Sequence, residues 1–137
     1  MIPLQICVLD LGVLISGGYN GQPLQFVEIY NPVSNTTCYL PQLPERRDFL
    51  TQDGELACGG WGGGNTDLTC VKFSSNSGTW TESHSLRQRR AYHVSWDTKD
   101  GVYLMGGADF SSSHYTTDLV KEDGTVENGF SLKYDTQ

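Results

Sequence analysis

Gly54-Glu55-Leu56-Ala57-Cys58-Gly59-Gly60 is a short apolar run that opens on one glycine and closes on a pair. The same design stands upstream as Gly12-Val13-Leu14-Ile15-Ser16-Gly17-Gly18 and downstream as Gly101-Val102-Tyr103-Leu104-Met105-Gly106-Gly107. The pairs are 42 and 47 residues apart. A period of that size marks a repeat architecture, in which one unit cannot bury its own faces and must stack on its neighbours.

The flanks repeat as well. After each glycine pair comes a polar loop, over residues 19–24, 61–67 and 108–115. An alternating strand follows, at Phe26–Tyr30, Leu68–Phe73 and Thr117–Val120. Then comes a turn signal, Asn31-Pro32, Asn76-Ser77-Gly78 or Asp123-Gly124. A last strand is expected around Cys38-Tyr39-Leu40, Trp80-Thr81 and Phe130-Ser131-Leu132. Between units, Leu43-Pro44-Glu45-Arg46-Arg47-Asp48-Phe49 is echoed by Leu86-Arg87-Gln88-Arg89-Arg90-Ala91-Tyr92-His93. Each unit is thus four short strands of one antiparallel sheet, and the fold class is all-β. Composition agrees: with 16 Gly, 7 Tyr, 5 Phe and 3 Trp in 137 residues, turns and pleated aromatic surface are well supplied. Gly, Pro or Asn-Gly interrupts every stretch of helical periodicity.

At this point the chain resembles the kelch repeat family, along nearly its whole length. The family pattern is an apolar run ending in Gly-Gly, then an aromatic, then a Trp. The second unit matches it fully with Gly59-Gly60, Phe73 and Trp80. The first has Gly17-Gly18 and Tyr30 but Cys38-Tyr39 in place of the Trp. The third has Gly106-Gly107, with Leu119-Val120 in place of the aromatic and no Trp. The resemblance implies a single partial β-propeller domain of three four-stranded antiparallel blades, over residues 3–44, 45–88 and 89–134. Propellers close with about four to eight blades, so three form an open arc rather than a closed ring. The chain is then expected to be a fragment of a longer propeller, meeting further blades or self-associating.

In such an arc Tyr30, Phe73 and Trp80 are expected to fill the cores between blades. Arg47, Arg90 and His93 are expected to bond to carbonyls of an adjacent blade, a ligand-contacting role being the alternative. Kelch proteins bind other proteins through loops at one end of the ring. By that resemblance the loops after the glycine pairs are the contact face, with Tyr19, Asn20, Trp61, Asn65, Phe110, His114 and Tyr115 as candidates. The function this implies is a protein-interaction module whose partner is another protein. Alternatives are a segment of an intracellular BTB-kelch substrate receptor for a ubiquitin ligase, or of a kelch-like copper radical oxidase.

Other classes find little support. A net charge of −7 opposes nucleic acid, whose phosphates demand a positive footprint. Membrane insertion is not expected, because the apolar stretch Met1–Ile15 is interrupted at Asp10 and shorter than a span. With no basic residue ahead of it, that stretch reads as two strands rather than an export signal. No nucleophile elbow, P-loop or metal-spaced histidine pair occurs, so neither catalytic residues nor a cofactor or metal is expected. Gly60-Trp61-Gly62-Gly63-Gly64 precedes a strand, whereas a phosphate cradle needs a helix N-terminus.

Cys58 and Cys70 fall on adjacent antiparallel strands of the second unit and are expected to form a disulfide. Cys7 and Cys38 are a second candidate pair in the first unit. Asn35-Thr36-Thr37 is a glycosylation sequon in a polar turn. Together these features lean towards an extracellular rather than a cytoplasmic protein.

Overall fold

Gly59-Gly60 and Gly106-Gly107 directly follow the second strand of their sheets, and Gly17-Gly18 the first described strand of its own; at each pair the chain turns sharply to reach the next strand. The structure, a computed structural model, describes residues 12–62, 66–109 and 111–133, and only the backbone of residues 66, 83 and 84. The first blade contributes β1 (Val13–Ser16), β2 (Val27–Asn31) and β3 (Thr36–Tyr39), in that order. Its expected first strand lies outside the described residues. A short strand β4 (Arg47–Asp48) then leads into the second blade, β5 (Thr51–Asp53), β6 (Leu56–Cys58), β8 (Thr69–Ser74) and β9 (Thr79–Ser85). Between β6 and β8, β7 (Trp61–Gly62) pairs back onto β4, and Thr66–Leu68 make one 3-10 turn. The third blade is β10 (Val94–Thr98), β11 (Gly101–Met105), β12 (Thr117–Val120) and β13 (Val126–Asn128). All pairings within the three sheets are antiparallel.

The sheets stack as the blades of an open, partial β-propeller. The first strands β5 and β10 touch each other, so they line the inner edge. Between blades 1 and 2, Val27, Leu43, Ala57 and Val71 form one buried core, joined by Leu14, Leu40, Leu50 and Trp80. Between blades 2 and 3, Cys58, Cys70, Leu86, Leu104 and Val120 form the other. These positions alternate along each strand, as the period of two in a pleated sheet requires. One residue set faces the preceding blade and the next set faces the following one.

The glycine pairs are dictated by the junctions. Gly59 and Gly60 have φ of 68° and 92°, a region costly to residues with a Cβ. A Cβ on Gly59 would lie 2.4 Å from the Arg90 carbonyl oxygen of the next blade, and one on Gly60 as close to that of Asp48. The closeness is used: Gly18 N–H donates to Arg47 O and Gly60 N–H to Arg90 O, both at 2.8 Å. Each bond stitches one blade to the linker that enters the next.

Cys58 and Cys70 are directly opposed between β6 and β8 and form a disulfide, with their Cα atoms 4.1 Å apart. Cys38 takes part in a disulfide, while Cys7, its expected partner, lies outside the described residues.

Three sequence expectations need correction. The last strand of blade 3 is Val126–Asn128, ahead of Phe130-Ser131-Leu132. Asp123-Gly124 makes so tight a turn that Val126 already pairs with Val120. Residues 129–132 instead repeat the exit path of the other blades: Leu132 N–H donates to Tyr115 O, as Leu43 does to Gln25 O and Leu86 to Leu68 O. Tyr30 does not fill the core between blades 1 and 2. It pairs with Val13 on the opposite face from Val27 and Ile29, and its hydroxyl bonds to Asn35. Trp80 is half-buried rather than enclosed, because it sits on the outermost strand. Its indole leans across the seam, touches Phe73 at 5.4 Å between ring centres, and donates from Nε1 to Pro41 O at 2.9 Å.

Candidate interaction rim

The loops after the glycine pairs and the linkers between blades lie on one rim, because both begin where strands run out on the same side. Two arginines hold it from within. Arg47 is buried and donates from Nη1 to Gly59 O (3.1 Å) and Thr69 O (2.8 Å), and from Nη2 to Thr69 Oγ1 (2.7 Å). Arg90 repeats this one blade on, with Gly106 O (2.7 Å), Thr116 O (3.0 Å) and Thr116 Oγ1 (2.8 Å). It adds a buried ion pair from Nε to Asp118 at 3.1 Å. The carbonyls among these acceptors belong to the blade that each arginine leads into, not to its neighbour. A guanidinium is suited to this task because its five donors are fixed in a fork. Burial lowers the Arg47 pKa to about 10, so it stays charged at neutral pH.

His93 does reach across, bonding through Nε2 to Thr51 Oγ1 of blade 2 at 2.9 Å. Burial first, then the nearby charge of Arg90, lower its pKa to about 4, against a smaller upward pull from the Cys58 carbonyl. The ring is neutral at physiological pH and buried between blades.

The expected contact residues divide. Tyr19, Asn20 and Tyr115 are exposed on the rim. Trp61 is half-buried beside the linkers. Asn65 and Phe110 lie outside the described residues. His114 is turned inward: it is buried, bonds through Nε2 to Arg89 O at 2.8 Å, and stands 3.6 Å from Asp109. It anchors its loop. Asp109 braces that loop, accepting from the backbone N–H groups of Ser111 and Ser112 at 2.7 and 2.8 Å. These bonds hold its carboxyl below the usual range, led by the one from Ser111.

Sequence reading missed the two aromatics at the heart of the rim. Phe49 and Tyr92 occupy the same place in successive linkers, just inside the inner edge. Their rings stack at 4.2 Å, and Trp61 meets Tyr92 edge-on at 6.2 Å. Tyr92 N–H donates to Phe49 O at 3.1 Å. Both residues are exposed, and both have positive φ, 53° and 59°. A bulky side chain in that region costs on the order of 1–3 kcal/mol and persists where its surroundings over-determine it, often at functional sites. The signal was present in the echo of Asp48-Phe49 by Ala91-Tyr92, but nothing in the residue types announces a left-handed backbone. Beside Tyr92 opens a shallow dish of about 390 Å³, lined also by Gly107, Ala108, Asp109, Ser112 and Ser113. Among the described residues, no three of His, Cys, Asp or Glu gather as a metal site.

The chain is 30% identical to Kelch-like protein 23 of Homo sapiens over 103 residues, a match covering 68% of this chain and 18% of the relative. It superposes on the structure of YjhT with a TM-score of 0.73 and 14% identity, over 94% of this chain and 52% of that one. The fold is of the kelch type. The chain spans about a fifth of the curated relative and about half of the structural one. No protein-family model matches it.

Proposed function

We propose that this chain is a protein-interaction module that binds its partner through the glycine-loop rim, centred on Phe49 and Tyr92 and flanked by Tyr19, Trp61 and Tyr115. The observation that carries the reading is the stacked, exposed pair of aromatics held at positive φ. Such rings offer large contact area at small entropic cost, and aromatics are enriched among residues that dominate binding. The linkers beneath them are pinned by buried arginines, so the surface is preorganised. The likeness to Kelch-like protein 23 supports a binding role for the fold. The buried Cys58–Cys70 bond supports an oxidising compartment, and the exposed Asn35 turn supports a glycan there.

The test separates binding from folding. Asparagine tolerates positive φ better than an aromatic, so Phe49→Asn with Tyr92→Asn removes both rings while relieving the backbone. This double variant is expected to unfold within about 1 kcal/mol of the wild type, since relief and lost stacking are of similar size. Proteins captured by the immobilised wild type and lost with the variant are the expected result. Undiminished capture by the variant rejects the rim.

A further inference from the structure

We propose that Asn35 carries an N-linked glycan, on the rim opposite the glycine loops. Asn35-Thr36-Thr37 has the residue types that such an acceptor requires, and no other triplet in the chain does. The repeat singles the site out. Across the turn of blade 1, Asn31 pairs with Thr36 and Tyr30 with Thr37. In blade 2 the same places are held by Ser74 with Thr79 and by Phe73 with Trp80. The two turns share a length and a design: the hydroxyls of Ser34 and Thr36 bond at 2.7 Å, as do those of Ser77 and Thr79. Asn35 therefore stands where blade 2 has Gly78, and Thr37 where it has Trp80.

Both exchanges run against local physics. Gly78 has φ of 69° and Asn35 of 54°, a backbone that glycine adopts more readily than asparagine. Trp80 packs on the core of its seam, and a threonine in that place gives up contact area. Together, however, the two exchanges set an amide and a hydroxyl two residues apart in one exposed loop. A glycan acceptor accounts for both at once.

The geometry suits attachment. Tyr30 OH donates to Asn35 Oδ1 at 2.8 Å, while Nδ2 donates to nothing among the described residues. The open space belongs to the turn itself. Blade 2 has a blade on either side, and there a Cβ built on Gly78 still meets nothing within 4 Å. The turn closes the end of β2 remote from the glycine loop, so a sugar on it leaves Phe49 and Tyr92 uncovered. In the transfer, Nδ2 bonds the anomeric carbon of an oligosaccharide and loses a proton, while the bond from that carbon to a lipid-linked pyrophosphate breaks. Nothing is oxidised or reduced. The donor lipid belongs to the secretory compartment, so this inference rests on the oxidising setting read from the Cys58–Cys70 bond.

Expression of the full chain behind an export signal in a eukaryotic host tests this, with retained and released protein both read by mass spectrometry. The wild type is expected to be heavier by one oligosaccharide, which a peptide N-glycosidase removes to leave aspartate at position 35. Asn35→Gly restores the residue of the repeat, and Thr37→Val removes the hydroxyl. Both variants are expected to lack the sugar, and Asn35→Gly to unfold at or above the temperature of the deglycosylated wild type. A wild type with unmodified Asn35 overturns the proposal, and so does sugar that persists in either variant. Alkylation of the same samples reads the compartment separately. Cys58 and Cys70 found as free thiols would reject the oxidising setting, whereas unmodified Asn35 beside an intact disulfide rejects the acceptor alone.

Discussion

At the scale of single residues, the fold rests on a few buried polar groups whose environment leaves no substitute. Arg90 is the sharpest case, since its ion pair with Asp118 is wholly enclosed. Removing one partner strands the other charge, so Arg90→Met is expected to cost about 3–5 kcal/mol in denaturant unfolding. His93 makes a pH prediction. Its folded pKa of about 4 lies below the ordinary 6.5, so the folded state resists protonation while the unfolded chain accepts it. Stability is therefore full above about 6.5 and is lost progressively as pH falls towards 4, by about 3 kcal/mol in all. Asp48 acts in the opposite sense, because burial raises its carboxyl. The difference between wild type and His93→Gln isolates the histidine: the variant is expected to lose less stability than the wild type between pH 7 and pH 4. Glycines divide by surroundings. Gly59→Ala drives a Cβ to 2.4 Å from Arg90 O and is expected to cost several kcal/mol. Gly78→Ala meets nothing within 4 Å and should cost only about 1 kcal/mol for its positive φ.

Elements show what was legible in the sequence and what was not. The three glycine-pair strands, their partners and the Cys58–Cys70 pairing follow from the period and from antiparallel adjacency, which are local rules. The exit of blade 3 was misplaced because Phe130-Ser131-Leu132 looks like a strand in isolation; only the turn before it shows that pairing is already spent on Val126–Asn128. Trp80 matches the family Trp, yet its burial depends on which strand of the blade it occupies, which no residue type reveals. With its half-buried ring packed on the core and its bond to Pro41, Trp80→Ala is expected to cost about 3 kcal/mol, the low end for large aromatics. The disulfide closes a 12-residue separation between buried positions. Its removal by Cys58→Ala with Cys70→Ala is expected to lower stability by about 3 kcal/mol, read by thermal unfolding of the oxidised wild type beside the double variant.

For the whole molecule, the arc explains why the site was only partly foreseen. Loops after the glycine pairs were visible as polar punctuation, and Tyr19 and Tyr115 do stand exposed there. Phe49 and Tyr92 come together only when two blades stack, so their stacking is a property of the junction and not of either repeat. His114 looked like a contact residue for the converse reason: its loop is polar, but the neighbouring linker offers the Arg89 carbonyl that draws it inward. The rim's role is tested most directly by a photo-crosslinking amino acid placed at Tyr92, at Tyr19, and at Asn76 in the turn on the opposite rim. Crosslinks to one captured protein from positions 92 and 19 and none from 76 are the expected result. Crosslinks from 76 alone would contradict it.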